Sequence, residues 1–213
     1  MRIFVKSGLL GTVLALGLAM TPQAARASII SVNNLTIISA PGTVGADFLV
    51  NEGLPDSVIF DEMQNITLDT PLTTDTGMIP AGTVIDSQFF AVNSVSTHTL
   101  NSSATFNGIV LGVIYLDGSA NWALSNFLGA PGTTYSEDPN LCADCGFESG
   151  DTVTIVGNTV DFHNLFSKPG DFARVITTAP TPTPEPGSML LFGTGAVTFL
   201  TKQIRRRSRS ATA

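Results

Sequence analysis

Residues 104–115 read Ala104-Thr-Phe-Asn-Gly-Ile-Val-Leu-Gly-Val-Ile-Tyr115. Phe106, Ile109, Leu111, Val113 and Tyr115 punctuate a run too apolar for a strand with one wet face, so the run predicts a central strand. Other apolar or alternating runs occur at 29–38, 47–50, 57–60, 65–68, 83–92, 151–156, 159–162 and 172–176. All are rich in Val, Ile, Thr and Phe, the residues that fit a pleated surface. Between them lie turn-forming pairs: Pro41-Gly42, Asp117-Gly118, Pro131-Gly132, Gly157-Asn158 and Pro169-Gly170. Within this body no window sustains a helical period over three turns, and only 121–128 suggests a short helix. Nine or so short strands at this spacing predict an all-β fold, a single β-sandwich of jelly-roll type.

Both ends differ from this body. Arg2 and Lys6 precede the apolar stretch Gly8 to Met20, and Ala25-Arg26-Ala27 supplies the small-x-small pattern read by signal peptidase. This predicts a signal peptide over 1–27, cut between Ala27 and Ser28, with the sandwich over 28–178. At 179–187 the chain becomes Pro-rich. Alternating prolines there remove donors and clash with a helical turn, leaving an extended spacer. A short membrane segment is expected over 188–201 and a basic cytoplasmic tail over 202–213. The apolar core of that segment, Met189 to Leu200, gives roughly 20 Å of helix at 1.5 Å per residue even when extended to Thr201, against a bilayer core of about 30 Å. So short a span suits a transient stop in the inner membrane, and the arginines after it keep the body on the periplasmic side.

Charge is unevenly placed. Of 10 basic residues, three lie in the predicted signal peptide and five in the tail, leaving Lys168 and Arg174 in the body. Of 17 acidic residues only Glu185 lies outside it, so the body carries a net charge of −14. Such a surface repels phosphate backbones and excludes nucleic acid as a partner.

Pro184-Glu185-Pro186, the apolar segment and Arg205-Arg206-Arg207 follow one another in order. This tail resembles the PEP-CTERM sorting signal of Gram-negative bacteria. The resemblance implies processing by exosortase, a membrane cysteine protease, with Pro184, Glu185 and Pro186 as the recognition motif. It further implies delivery to the cell surface or matrix and an association with exopolysaccharide and biofilm. Four body segments, 57–62, 81–87, 132–135 and 169–176, are similar to one group of these proteins, for which the resemblance implies no activity.

Signatures of catalysis are scarce. Gly-x-Ser-x-Gly and His-Glu-x-x-His are absent. Asp75-Thr76-Gly77 has the tripeptide of aspartic proteases, but in a single copy, and it is equally good turn chemistry. A hydrolase would need Asp61 and Glu62, or Asp75, to converge in a cleft. The expectation is a noncatalytic protein without a resident cofactor. Cys142 and Cys145 suit a small loop-closing disulfide in an exporting chain; a redox pair or a zinc site with His98 and His163 are the alternatives. Asp138, Asp144, Glu148 and Asp151 offer hard oxygens that could hold calcium, although the EF-hand order fails. Trp122 and Tyr135 could stack on sugars, so a carbohydrate- or calcium-binding module is the alternative function. Arg174, isolated in an acidic body, is expected to pair with Asp171 or with a cross-strand Asp or Glu.

Overall fold

A computed structural model of the chain describes residues 28–94, 96–116, 118–135, 146–166 and 170–180. They fall in a compact unit spanning Ala24–Pro180. Most of them lie in strands, arranged in several sheets, and the class is all-β as the sequence predicts.

The larger sheet is built on β8 (Val84–Val92), whose residues beyond Val84 are all buried. On one side β8 pairs antiparallel with β14 (Asp171–Thr178), which in turn pairs with β10 (Val110–Ile114). On the other it pairs with β4 (Ser57–Asp61) and, farther along, with β5 (Ile66–Thr67). β2 (Thr36–Ile37) adds to β4 in parallel and completes six strands. The smaller sheet has four strands in the order β1 (Ile29–Asn33), β9 (His98–Phe106), β13 (Thr159–Phe166) and β12 (Thr152–Val156). Two further pairs flank these sheets: β3 (Thr43–Val44) with β11 (Thr134–Tyr135), and the hairpin of β6 (Leu72–Thr74) and β7 (Gly77–Ile79).

One apolar cluster draws on both large sheets. Ile59, Phe90, Val92, Val113, Ala173 and Val175 come from the six-stranded sheet, and Ala104, Phe106, Val160 and Phe162 from the four-stranded one. Phe90 stacks on Phe162 with ring centroids 4.2 Å apart. The opposite face of the six-stranded sheet is also covered. Val58, Phe60, Phe89, Ala91 and Phe172 pack there against Phe48 and Leu49 of α1 (Phe48–Asn51) and Trp122 of α2 (Asn121–Leu124). Buried on both faces, β8 and β14 lose the alternation of a surface strand.

Two expectations are corrected. The run 104–115 is not one central strand. It turns at Asn107-Gly108, giving β9 to the four-stranded sheet and β10 to an edge of the six-stranded one. A Cβ on Gly108 would lie 2.1 Å from the Thr178 carbonyl oxygen, so glycine permits the close passage that lets the chain change sheets. The run at 47–50 forms α1 rather than a strand: four residues are too few for the period to declare itself. Helical structure over 121–128 occurs as expected, in α2 and the 3₁₀ turn Asn126–Leu128.

Candidate functional site

Between the six-stranded sheet and α2 lies a buried ion pair. β4 ends at Asp61 and β5 begins at Ile66, and in the gap Glu62 turns inward beneath β14. Its carboxylate meets Arg174 in two hydrogen bonds, Nε to Oε2 at 2.6 Å and Nη2 to Oε1 at 2.8 Å. Arg174 Nη1 donates to the Ser125 carbonyl and hydroxyl oxygens. Ser87 Oγ and the Tyr135 hydroxyl donate to Glu62 at 2.6 and 2.7 Å. Above the guanidinium lie the rings of Phe89, Trp122 and Tyr135, with centroids 5.7–6.0 Å from Cζ. Burial works against the charged guanidinium, but the Glu62 charge and its hydrogen bonds outweigh that and raise the Arg174 pKa. Burial, and then the adjacent Glu62 charge, hold the Tyr135 phenol neutral well above its ordinary range.

This box decides several expectations. Arg174 pairs with a carboxylate reached across the sheet, but that carboxylate is Glu62 and not Asp171. Trp122 is 1% exposed, donates from Nε1 to the Leu116 carbonyl and faces Arg174. Trp122 and Tyr135 do converge, but around a buried cation rather than on an open face where a sugar ring could stack. Asp75 and Thr76 form the turn of the β6–β7 hairpin. The Asp75 carboxylate accepts four hydrogen bonds, from Tyr115 N, Leu116 N, Ser119 Oγ and Asn121 Nδ2, and so caps the end of the edge strand β10. Asp61 is exposed on β4. His98 opens β9, and His163 lies within β13, where its Nδ1 contacts Asn101 Oδ1.

A second group of carboxylates gathers at the strand ends. Glu148 and Asp151 bracket a turn before β12, in which Asp151 N donates to the Glu148 carbonyl at 3.2 Å. Asp171 opens β14 and is 2% exposed. Carboxylate oxygens of the three lie within 4.8 Å of one another. Two expected calcium ligands, Glu148 and Asp151, are thus brought together, and the third partner is a residue that sequence reasoning assigned to arginine pairing. Asp138 and Asp144 lie outside the described residues, as do Cys142 and Cys145.

Ser28, the residue after the expected cleavage point, is exposed and stands immediately before β1. Its N–H donates to Asn107 Oδ1 at 2.8 Å and its carbonyl accepts from Asn107 N at 3.2 Å. Ala25 and Ala27 lie outside the described residues, as do Pro184, Glu185, Pro186, Arg205, Arg206, Arg207 and the expected membrane segment. No helix among the described residues is long and apolar enough to cross a membrane.

No curated protein sequence and no solved structure matches the chain. The PEP-CTERM protein-sorting motif family matches residues 182–207, a segment containing Pro184-Glu185-Pro186 and all three clustered arginines. The chain therefore carries a PEP-CTERM sorting motif, which marks an exported protein that is processed at the membrane by exosortase.

Proposed function

We propose that the chain is a noncatalytic cell-surface or extracellular-matrix protein of a Gram-negative bacterium, associated with exopolysaccharide in biofilm. In this reading residues 28–178 are a β-sandwich ectodomain and 179–187 a spacer. Residues 188–201 hold the precursor in the inner membrane, facing the periplasm, until exosortase releases it. The sorting motif at 182–207 carries the proposal. A shared apolar cluster between the two large sheets supports the sandwich, and a body charge of −14 supports life in a hydrated matrix. Glu62 and Asp75, the carboxylates a hydrolase would recruit, are engaged by Arg174 and by the end of β10. That supports a body whose acids serve the fold.

The mass of the mature protein, recovered from cell surface and medium with and without the host exosortase, tests the address. Loss of residues 1–27 and of the tail beyond the motif, dependent on that protease, is the expected result. A mature chain still ending at Ala213 would make this a tail-anchored envelope protein instead.

A further inference from the structure

The carboxylates of Glu148, Asp151 and Asp171 share their neighbourhood with an amide whose bonding is incomplete. Asn164, on β13, is fully buried and donates from Nδ2 to Asp171 Oδ2 at 3.1 Å. Its Oδ1 is buried and has no hydrogen-bond partner among the described residues. The next residue along β13 reaches the same cluster, since Leu165 N donates to Asp151 Oδ1 at 2.8 Å. Glu148 N donates to the other oxygen, Oδ2, at 3.1 Å. These two backbone bonds fix the Asp151 carboxylate in place, and each of its oxygens keeps a lone pair for a cation.

The chemistry of this donor set is that of a hard cation. Three carboxylates and an amide oxygen are oxygen ligands only, and a carboxylate can bind in one- or two-oxygen mode. Calcium takes six to eight oxygens at about 2.3–2.6 Å, so ligands on its opposite sides stand roughly 4.6–5.2 Å apart. The carboxylate oxygens here, within 4.8 Å of one another, are close enough to share one ion. A buried amide oxygen left unbonded is costly, and a divalent cation bound to it offsets that cost. Magnesium demands a nearly ideal octahedron and gives up its waters reluctantly, which an irregular turn meeting two strands serves poorly.

We propose that Glu148, Asp151 and Asp171, with the buried amide oxygen of Asn164, form a calcium site that ties the four-stranded sheet to the six-stranded one. Asn164 belongs to the smaller sheet, Asp171 opens a strand of the larger, and the other two ligands lie on the turn leading into β12. An ion at this place would reinforce the hydrogen bonds from Asn164 to Asp171 and from Leu165 to Asp151 that already join these three chain segments. The proposal goes beyond export and holds whether or not the tail is processed. Its affinity belongs to the class of extracellular modules, with Kd of about 10⁻⁴–10⁻³ M.

The test uses the full-length chain in detergent, stripped with EDTA and titrated calorimetrically with CaCl₂ or MgCl₂, with thermal unfolding followed in parallel. Saturable calcium binding is expected. At 10 mM CaCl₂ the folded-to-unfolded ratio should rise by about tenfold or more, and by less in MgCl₂. Glu148→Gln alters an exposed residue and should weaken calcium binding about tenfold or more, with parent and variant each compared with its own unfolding in EDTA. Asp171→Asn should do the same; if that buried variant does not fold, Glu148→Gln alone decides. Absence of binding and of stabilisation up to 10 mM would overturn the proposal. Equal calcium binding by the parent and Glu148→Gln would also overturn it, by placing the ion elsewhere on the acidic surface.

Discussion

The two large sheets handle polar residues in opposite ways. The six-stranded sheet is buried on both faces, yet it contains Asp86, Ser87, Gln88, Arg174 and Thr177 at full or nearly full burial. The four-stranded sheet has one face on the shared core and one in solvent. Its outward positions form rungs of polar side chains, such as Asn33, Ser103, Asp161 and Thr154 in register across four strands. A polar group on the wet face is satisfied by water. One inside the larger sheet must find a protein partner or destabilise the fold. Substitutions of similar chemistry should therefore have very different consequences in the two sheets.

The largest effect is expected at Arg174. Arg174→Met keeps most of the side-chain volume but leaves the Glu62 carboxylate buried without its cation. Breaking a buried pair from one side costs about 3–5 kcal/mol, and urea unfolding should show a midpoint lowered accordingly. Adding Glu62→Leu to Arg174→Met should recover part of the loss, because the unpaired charge is then gone. A single variant as stable as the parent would show that the box contributes little and would break the contrast between the sheets.

The pair also shows what the chain discloses from its residues alone. A lone arginine in a body of net charge −14 calls for a carboxylate partner. Choosing Glu62 requires knowing that β4 and β14 flank β8 and that the chain breaks off pairing between Asp61 and Ile66. Strand positions are legible where a run is long and apolar, as at 83–92. They are ambiguous where two strands abut, as at 104–115, because a turn of only Asn107, Gly108 and Ile109 leaves the run unbroken in hydropathy. The sequence suggests a sugar platform at Trp122, because the guanidinium 5.7 Å away that gives the ring its place is visible only in the fold. Of the acidic cluster, Glu148 and Asp151 are visible as neighbours in a turn. Asp171, 20 residues later, and Asn164, on another sheet, join them only through the fold.

A smaller effect, with a distinctive pH dependence, is expected at Tyr135. Its hydroxyl donates to Glu62 and accepts from Ala130 N at 3.0 Å, so Tyr135→Phe should cost about 1 kcal/mol at neutral pH. Because the folded-state pKa is raised, the neutral phenol contributes stability in full below about pH 10, the unfolded value. That contribution is lost as pH rises through and beyond 10, where the unfolded phenol ionises first. Unfolding followed from pH 8 to 11.5 should show the parent losing more stability than Tyr135→Phe above pH 10. Parallel curves would mean that the phenol is not held by the box.

The sharpest form of the comparison makes one substitution in both sheets. Thr154 lies on the outer face of β12, exposed, and Thr177 lies in β14, fully buried. Threonine and valine have nearly the same shape and both favour strands, so the change reads out the hydroxyl alone. At Thr154 the hydroxyl faces water in either the folded or the unfolded chain, and Thr154→Val should move stability by no more than about 0.5 kcal/mol. At Thr177 the hydroxyl oxygen has no hydrogen-bond partner among the described residues. Folding strips it of water without compensation, so Thr177→Val should stabilise by about 1 kcal/mol. Unfolding midpoints of the two variants, measured together, check the sign as well as the size. A destabilising Thr177→Val would show that its hydroxyl is met in solution, by a water held within the larger sheet. The two sheets would then differ in how they keep their water rather than in whether they exclude it.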